Sequence, residues 1–361
     1  MNIDLGIPLA VRSALAVRGV RTETSVRRGP GAGPSDDGHL VVDGVNAALP
    51  IDPGSPFVVR DGRILHGETD LGVAVTPVRR PRFYDLATAD GVPYEQIALL
   101  HGADVLASTV VQTCIRYGEA ERCRFCAIEE SLRAGSTVAA KTPAQLAEVA
   151  AAAVALDSVR QMVLTTGTTA GPDRGAKHLA RCVAAVTAAV PGLPVQVQIE
   201  PPERDRHSDL DVIDELKAAG ATAIGIHAES LDDAVRRRWM PGKGSVPMAE
   251  YDAAWARAVA VFGRNRVSTY VLVGLGEDPD ELVAGCASLI ERGVYPFVVP
   301  LRVLPGTLAA QDGAAAPDPA VVADVTARVA ALLRAAGMSG AEQGAGCAAC
   351  GACSALPAAG G

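Results

Sequence analysis

The sequence predicts an α/β protein: a partial (β/α)6 barrel of the TIM type, preceded by a small β-rich N-terminal domain and followed by a cysteine-rich C-terminal tail. Three observations predict it. From Ser108 onward, short apolar β runs alternate with helical segments, the pattern of parallel strands joined by crossover helices. Six such units fit into about 200 residues, which suits a partial barrel better than a closed eight-unit one. Upstream that alternation is missing and hairpin signals replace it, while the end of the chain collects thiols in place of apolar periodicity. The boundaries so drawn are 1–105, 106–312 and 313–361.

In chain order, Gly29 to Gly38 (GPGAGPSDDG) reads as a loop. Phe57 to Arg60 and Arg63 to His66 flank Asp61-Gly62, a strong two-residue hairpin signal. The cluster Arg79, Arg80, Arg82 beside Phe83 and Tyr84 suits either an anionic substrate or partner, or a solvated face between domains. In the barrel region the expected strands are Ser108–Thr113, Gln161–Thr165, Val195–Ile199, Ala223–Ile226, Val267–Val273 and Pro296–Leu301. Thr142 caps a helix that Pro143 opens, with Gln145 completing a capping box. Further helices are expected over Ala176–Val190, from about Asp209 to Ala219 before Gly220, behind Asp278-Pro279, and from Asp318-Pro319 to Gly337. In parallel architectures of this kind the active site lies at the carboxyl ends of the strands.

Composition narrows the function classes. Hydrophobic residues make up 49% of the 361 and aromatic ones only 4%, so Ala, Val and Leu must fill the core. A formal charge of −8 argues against a nucleic-acid or anionic-membrane surface. The N-terminal run MNIDLGIPLAVRSALAV carries Asp4 and Arg12 where a signal peptide would be continuously apolar, and no later run is long and apolar enough to span a bilayer. A reducing cytoplasm is the expected location.

Six of the eight cysteines fall into two tight triplets, spaced for metal rather than for bridging. In the first, two residues separate Cys123 from Cys126, so both sulfurs can face one centre, and the eight residues after Cys114 form a loop long enough to return a third thiol. Four sulfurs would close a zinc site or an ordinary electron-transfer cluster. Three would leave one iron of a [4Fe–4S] cube open to a small molecule. A structural zinc loop is the competing reading, because the CxxC half is common to both.

These residues resemble the radical S-adenosylmethionine superfamily, whose signature is three cysteines in one loop with an aromatic before the last, matched here by Phe125. The first gap departs from the commonest spacing, eight residues standing where three are usual. Val163 to Gly175 (VLTTGTTAGPDRG) looks like the corresponding stretch of lipoyl and biotin synthases, where Thr166, Gly167 and Thr168 would let backbone groups approach the methionine amine. His227 and Glu229, followed by RRRWMPG, look like the strand-four end of lipoyl synthases; the resemblance makes them ribose contacts and Arg238, or Arg237, a carboxylate clamp. Gly274 and Gly276 in YVLVGLGE would let the chain pass close to the adenine, and Glu200 would contact the ribose or the amine. Arg302, in a run similar to biotin-synthase-like enzymes, would hold a substrate carboxylate or touch a second cluster. The tail spacing is not that of lipoyl synthase, and the chain looks closer to a bacterial branch found beside nitrilase genes, which hints at a small nitrogenous metabolite.

The tail triplet, Cys347, Cys350 and Cys353, has two successive CxxC spacings with small residues between, suited to a second [4Fe–4S] cluster, with zinc or a disordered thiol tail as alternatives. Cys182 and Cys286 stand alone on apolar helices and read as core residues. The resemblance implies reductive cleavage of S-adenosylmethionine at the first cluster, an electron from reduced flavodoxin or ferredoxin, and a 5′-deoxyadenosyl radical that attacks a C–H bond of a small-molecule substrate. The tail cluster would donate sulfur, or in the alternative carry electrons for an oxidation or rearrangement. A non-catalytic metal-binding or electron-carrier protein is the rival from another class.

Overall fold

Residues 7–22, 39–203 and 210–360 are described by the structure, a computed structural model. The expected loop over Gly29–Gly38 and the helix start at Asp209 lie outside them. Helix α1 (Leu9–Arg18) and strands β1 (Arg21–Thr22), β2 (His39–Val42), β3 (Val45–Ala48), β4 (Phe57–Arg60), β5 (Arg63–His66) and β6 (Thr69–Pro77) make the N-terminal domain. Its sheet has the order β1-β4-β5-β6-β2-β3. Asp61 and Gly62 both take positive φ, 50° and 71°, and pair Arg60 with Arg63, the turn their chemistry favours. Leu15, Val20, Val42, Leu49 and Ile64 close a small core beneath the sheet.

A second sheet of seven strands runs in the order β13-β12-β11-β10-β9-β8-β7. Its six parallel members are β8 (Val105–Thr109), β9 (Gln161–Thr165), β10 (Val195–Ile199), β11 (Ala223–Ile226), β12 (Val267–Val273) and β13 (Val294–Pro300), and β7 (Leu99–His101) adds an antiparallel edge. Crossovers run through α2 (Pro143–Asp157), α3 (Ala176–Ala189), α4 (Asp211–Ala218), α5 (Asp233–Trp239) with α6 (Met248–Phe262), and α7 (Pro279–Glu291); α8 (Pro319–Ala335) follows β13. This is the expected partial (β/α)6 barrel. The capping box is formed: Gln145 N–H donates to Thr142 Oγ1 at 3.2 Å and Thr142 N–H to Gln145 Oε1 at 2.9 Å, an arrangement that contributes about 1 kcal/mol. Asp278 and Asp318 cap α7 and α8 before their first-turn prolines. Cys182 and Cys286 are buried in the core, 0% exposed.

Two strands differ from expectation. The first ends at Thr109, because Val111 and Gln112 leave β9 to pair with Ala140 and Ala139. The last begins at Val294 and contains Pro296, tolerated because β13 is an edge strand with one unpaired side. The arginine cluster is a solvated face that joins the two domains: Arg80 pairs with Glu95 at 3.1 Å and lies over the Tyr84 ring, while Phe83 and Tyr84 are buried. The main-chain N–H groups of Arg82 and Phe83 both donate to Asp157, at 2.9 and 3.0 Å.

The N-terminal domain meets the rest of the chain at several places. Asn46 accepts from Ala103 N–H at 3.1 Å next to the start of β8, Arg302 beyond β13 donates to Ala48 O, and Ala48 N–H donates to Ala352 O at 2.9 Å. Helix α1 lies against α8. The domain therefore spans the gap between the first and last parallel strands and covers the tail, because a six-strand barrel sheet leaves that edge open.

Candidate functional site

The strand β8 delivers the chain to Cys114 at the carboxyl end of the barrel. The eight-residue gap that follows is held on both sides rather than left as a free loop. Tight turns form at its start and just beyond its end, with Tyr117 N–H to Cys114 O at 2.9 Å and Cys126 N–H to Cys123 O at 3.0 Å. Outward ties fix it to the loop after β11: Arg124 N–H donates to Trp239 O at 2.7 Å, Gly242 N–H to Glu121 O at 2.9 Å, and Arg116 Nη1 to Gly242 O at 2.5 Å. Tyr117 lies under the guanidinium of Arg122, 4.8 Å from its ring centre, and donates to Glu130 at 3.2 Å. Phe125 is half-buried against the main core.

All three thiols of this loop are unbridged and half-buried. They are near enough to act on one another electrostatically: burial first, then the other thiols, push Cys123 well up, and burial, then Cys114 among the charges, pushes Cys126 up to about 11. The Lys243 ammonium acts in the opposite sense on both. Lys243 Nζ reaches Glu229 Oε2 at 2.5 Å, and Glu229 takes a positive φ of 61° to present it.

Around this loop stand the residues that the sequence singled out at the strand ends. Gly167 is pressed under it: a Cβ there would lie 2.0 Å from Thr113 O, so the close approach is to the cysteine loop's own backbone. Thr168 O accepts from Ile115 N–H at 2.9 Å, and Thr166 Oγ1 turns back to Gly167 O. Glu200 is an ion-pair hub, taking Arg116 Nη2 at 2.7 Å, Arg174 Nη1 at 2.5 Å and Thr168 Oγ1 at 2.7 Å. Arg238 is exposed and donates to Leu275 O, over Gly276, whose φ of 100° excludes a side chain. Gly274 (φ 111°) packs on Pro317. Arg237 is exposed, while Arg236 is buried and held by Asp233, Lys243 O and Val246 O.

The tail triplet enters the barrel. Cys347 and Cys350 lie on the one-turn helix α9 (Cys347–Cys350), entered through Gly346 at φ 106°, where a Cβ would meet Gln196 Cδ at 2.1 Å. Gln161 Oε1 accepts from Gly346 N–H at 2.7 Å, Gln196 Oε1 from Cys347 N–H at 3.2 Å, and Gln198 Nε2 donates to Cys347 Sγ at 3.2 Å. Tyr270 on β12 also hydrogen-bonds this sulfur. Cys350 packs on Ala48, Val105 and Val163. Cys353 Sγ stands 3.9 Å from His101 Nε2. Beside these thiols Arg12 is 4% exposed and donates to Asn46 O at 3.0 Å; burial, then Arg302, lower its pKa to about 10, against the opposing effect of Cys353 and Cys350. One nitrogen of Arg302, Nη1, is buried with no partner.

His227 lies on the barrel wall between β11 and the tail. Its Nδ1 accepts from Tyr270 N–H at 3.1 Å and its ring meets the Tyr270 ring edge-on at 4.5 Å. Burial holds its pKa well below the usual histidine value, so the neutral ring carries its proton on Nε2, a buried nitrogen with no partner.

Residues 117–287 match the family model described as the radical SAM superfamily. Over that stretch, a little under half of the chain, the sequence is similar to the radical SAM superfamily. The match contains Cys123 and Cys126 and begins three residues beyond Cys114. No curated protein matches the chain. Similar solved structures include methylornithine synthase (PylB), with a TM-score of 0.48, 14% identity and coverage of 64% of this chain and 62% of that one. Another is the FeFe-hydrogenase maturase HydG from Carboxydothermus hydrogenoformans, with a TM-score of 0.44, 17% identity and coverage of 64% of this chain and 50% of that one. The chain thus spans about half the length of the maturase.

A match to the radical SAM superfamily implies a [4Fe–4S] cluster and S-adenosylmethionine. The donor set fits: three free thiols on one braced loop, with the Lys243 cation beside them to favour thiolates. Among the described residues no three His, Cys, Asp or Glu side chains converge tightly enough for a single metal ion. Among the described residues no helix is long and apolar enough to cross a membrane. The sequence reading missed Lys243, Arg116, Arg174, Arg12 and His101, which lie far along the chain from the groups they meet. Only the alternation VQVQI of β10, two glutamines in an otherwise apolar buried strand, announced a polar barrel interior.

Proposed function

We propose that the chain cleaves S-adenosylmethionine reductively at a cluster held by Cys114, Cys123 and Cys126 and functionalises a C–H bond of a small molecule inside the barrel, beside a second iron–sulfur cluster held by Cys347, Cys350 and Cys353. A bound cluster with one open iron supplies the electron that breaks the carbon–sulfur bond of the sulfonium. The protein's part is placement. Gly167 and the Thr168 carbonyl brace the cysteine loop, Lys243 and Glu229 set its charge, and Gly274, Gly276 and Arg238 border the end of β12, where the adenosine and carboxylate parts are read. The observation that carries the reading is the pair of thiol triplets on one barrel, one at the strand ends and one reaching Gln198 and Tyr270 within it.

The unpartnered His227 Nε2–H and Arg302 Nη1 favour a substrate with hydrogen-bond acceptors, a carboxylate among them. The VLTTGTTAGPDRG run supports a biotin- and lipoyl-synthase-like branch. Cys347, Cys350 and Cys353 would hold a cluster whose chemistry has two readings, a source of sulfur for the substrate carbon or an acceptor of one electron from the substrate radical with a proton released to solvent. A reduced flavodoxin or ferredoxin is the donor we expect. The test is anaerobic incubation of the reduced, iron-loaded chain with S-adenosylmethionine. The reading expects 5′-deoxyadenosine, absent from the Cys114, Cys123, Cys126 triple Ala variant; a chain that holds zinc and no iron ends it.

A further inference from the structure

Uncompensated positive charge and side-chain hydrogen bonds gather around the tail thiols. This inference rests on the reading that Cys347, Cys350 and Cys353 hold an iron–sulfur cluster. We propose that Arg12, together with Gln198 and Tyr270, raises the reduction potential of that cluster, so that the tail site takes up an electron more readily than the cluster of Cys114, Cys123 and Cys126.

Arg12 belongs to α1 of the N-terminal domain, and the fold carries its guanidinium beside the tail loop. The residue is 4% exposed; its Nη2 donates to Asn46 O at 3.0 Å and lies 3.5 Å from the carbonyl oxygen of Ala352, a residue between Cys350 and Cys353. Ala352 O is fixed there by Ala48 N–H at 2.9 Å, and Cys350 packs on Ala48. The guanidinium meets neutral carbonyls, and no carboxylate pairs with it among the described residues. Arg302 donates to Ala48 O, so a second cation stands close enough to repel the first. Asp104 opposes them at Cys350, one charge against two. A buried cation is little screened by solvent. It favours the reduced cluster, which carries one more negative charge.

Cys347 receives the other influence. Gln198 Nε2 on β10 donates to its sulfur at 3.2 Å, and the hydroxyl of Tyr270 on β12 hydrogen-bonds the same atom. Donors to a ligating thiolate draw charge from it and again favour the reduced state. Gln198 is held for this by Gln196, whose Oε1 accepts from Gln198 Nε2 at 3.1 Å and from Cys347 N–H at 3.2 Å. At the first triplet the nearby cation is Lys243, and its charge is offset: Nζ pairs with Glu229 Oε2 at 2.5 Å, and the two act on Cys123 and Cys126 in opposite senses. With three cysteines at each site, local charge and hydrogen bonds to sulfur set the order of the two potentials.

The test compares two full-length proteins, loaded anaerobically with iron and sulfide and kept free of S-adenosylmethionine. The Cys114, Cys123, Cys126 triple Ala variant loads only the tail site, and the Cys347, Cys350, Cys353 triple Ala variant only the first. Each is titrated with dithionite in the presence of redox mediators; EPR of the reduced cluster gives the midpoint and iron analysis the occupancy. The expected midpoint is higher in the tail-only protein. There Arg12→Gln, which keeps a donor for the carbonyls and loses the charge, lowers the equilibrium constant for reduction at least tenfold, about 59 mV for one electron. Arg12→Lys recovers most of that shift, and Tyr270→Phe lowers the midpoint at unchanged iron content. A tail midpoint at or below that of the first cluster overturns the proposal, as does a midpoint left unchanged by Arg12→Gln or by Tyr270→Phe. Loss of iron from Arg12→Gln makes Arg12 a residue that assembles the site and overturns its tuning role. A tail-only parent that binds no iron overturns the cluster reading itself, a separate outcome.

Discussion

Replacing Glu200 by Gln separates two roles for this residue, ion-pair hub and cosubstrate contact. Glu200 is 8% exposed and its carboxylate takes two nitrogens of Arg116, at 3.2 and 2.7 Å, one of Arg174 at 2.5 Å and the hydroxyl of Thr168 at 2.7 Å. Removing one partner of a buried ion pair costs about 3–5 kcal/mol. The amide keeps one accepting oxygen, and Glu203 and Glu250 remain near Arg174 at 3.7 and 3.9 Å, so the low end applies, about 3 kcal/mol. For a chain of 361 residues an unfolding entropy of roughly 2.1 cal/mol/K per residue sums to about 0.76 kcal/mol/K. The midpoint of thermal unfolding then falls by about 4 °C. Scanning calorimetry under anaerobic conditions reads the shift, and equilibrium dialysis reads S-adenosylmethionine binding in parallel. An unchanged midpoint with binding weakened a hundredfold would refute the reasoning and make Glu200 a direct cosubstrate ligand.

Other consequences are as specific. Gly346→Ala places a methyl where Gln196 already stands and forces a residue with φ 106° out of its conformation; the tail-site iron is lost while the first cluster stays loaded, as iron and sulfide counts will show. Gly167→Ala drives a Cβ into the Thr113 carbonyl, so the opposite half of the iron is lost and 5′-deoxyadenosine formation stops. Lys141 is 2% exposed, and burial lowers its pKa from 10.5 to about 7. The folded state then binds fewer protons than the unfolded chain between those values, so this group makes stability rise as pH increases from about 7 toward 10.5. Lys141→Met removes that slope, which urea titrations at several pH values measure.

The barrel was legible because its signals are local. β9, β10, β11 and β12 occupy the residues expected for them, each an apolar run with a turn or a capping residue at its ends, and Thr142, Asp278 and Asp318 cap the helices they precede. The first strand was misjudged because Val110 to Thr113 are as β-prone as the residues before them; only the partner changes, from β9 to Ala139 and Ala140. Contacts made across long sequence distances left no comparable mark. Nothing near Arg12 announces that it will face Arg302 and the thiols of the tail, and nothing in PGKG announces that Lys243 will reach Glu229 beside Cys123. The eight-residue first gap of the cysteine loop needed the structure for its explanation: Arg116 and Glu121 within it are spent on ties to Glu200 and Gly242, and Arg124, just past it, on a tie to Trp239.

The central claim is that Cys114, Cys123 and Cys126 hold a cluster with one iron left for S-adenosylmethionine. The most direct measurement is EPR of the reduced Cys347, Cys350, Cys353 triple Ala variant, which keeps only that cluster, recorded before and after S-adenosylmethionine is added. The account predicts a four-iron cluster whose signal shifts on addition. A signal that the cosubstrate leaves unchanged would contradict it.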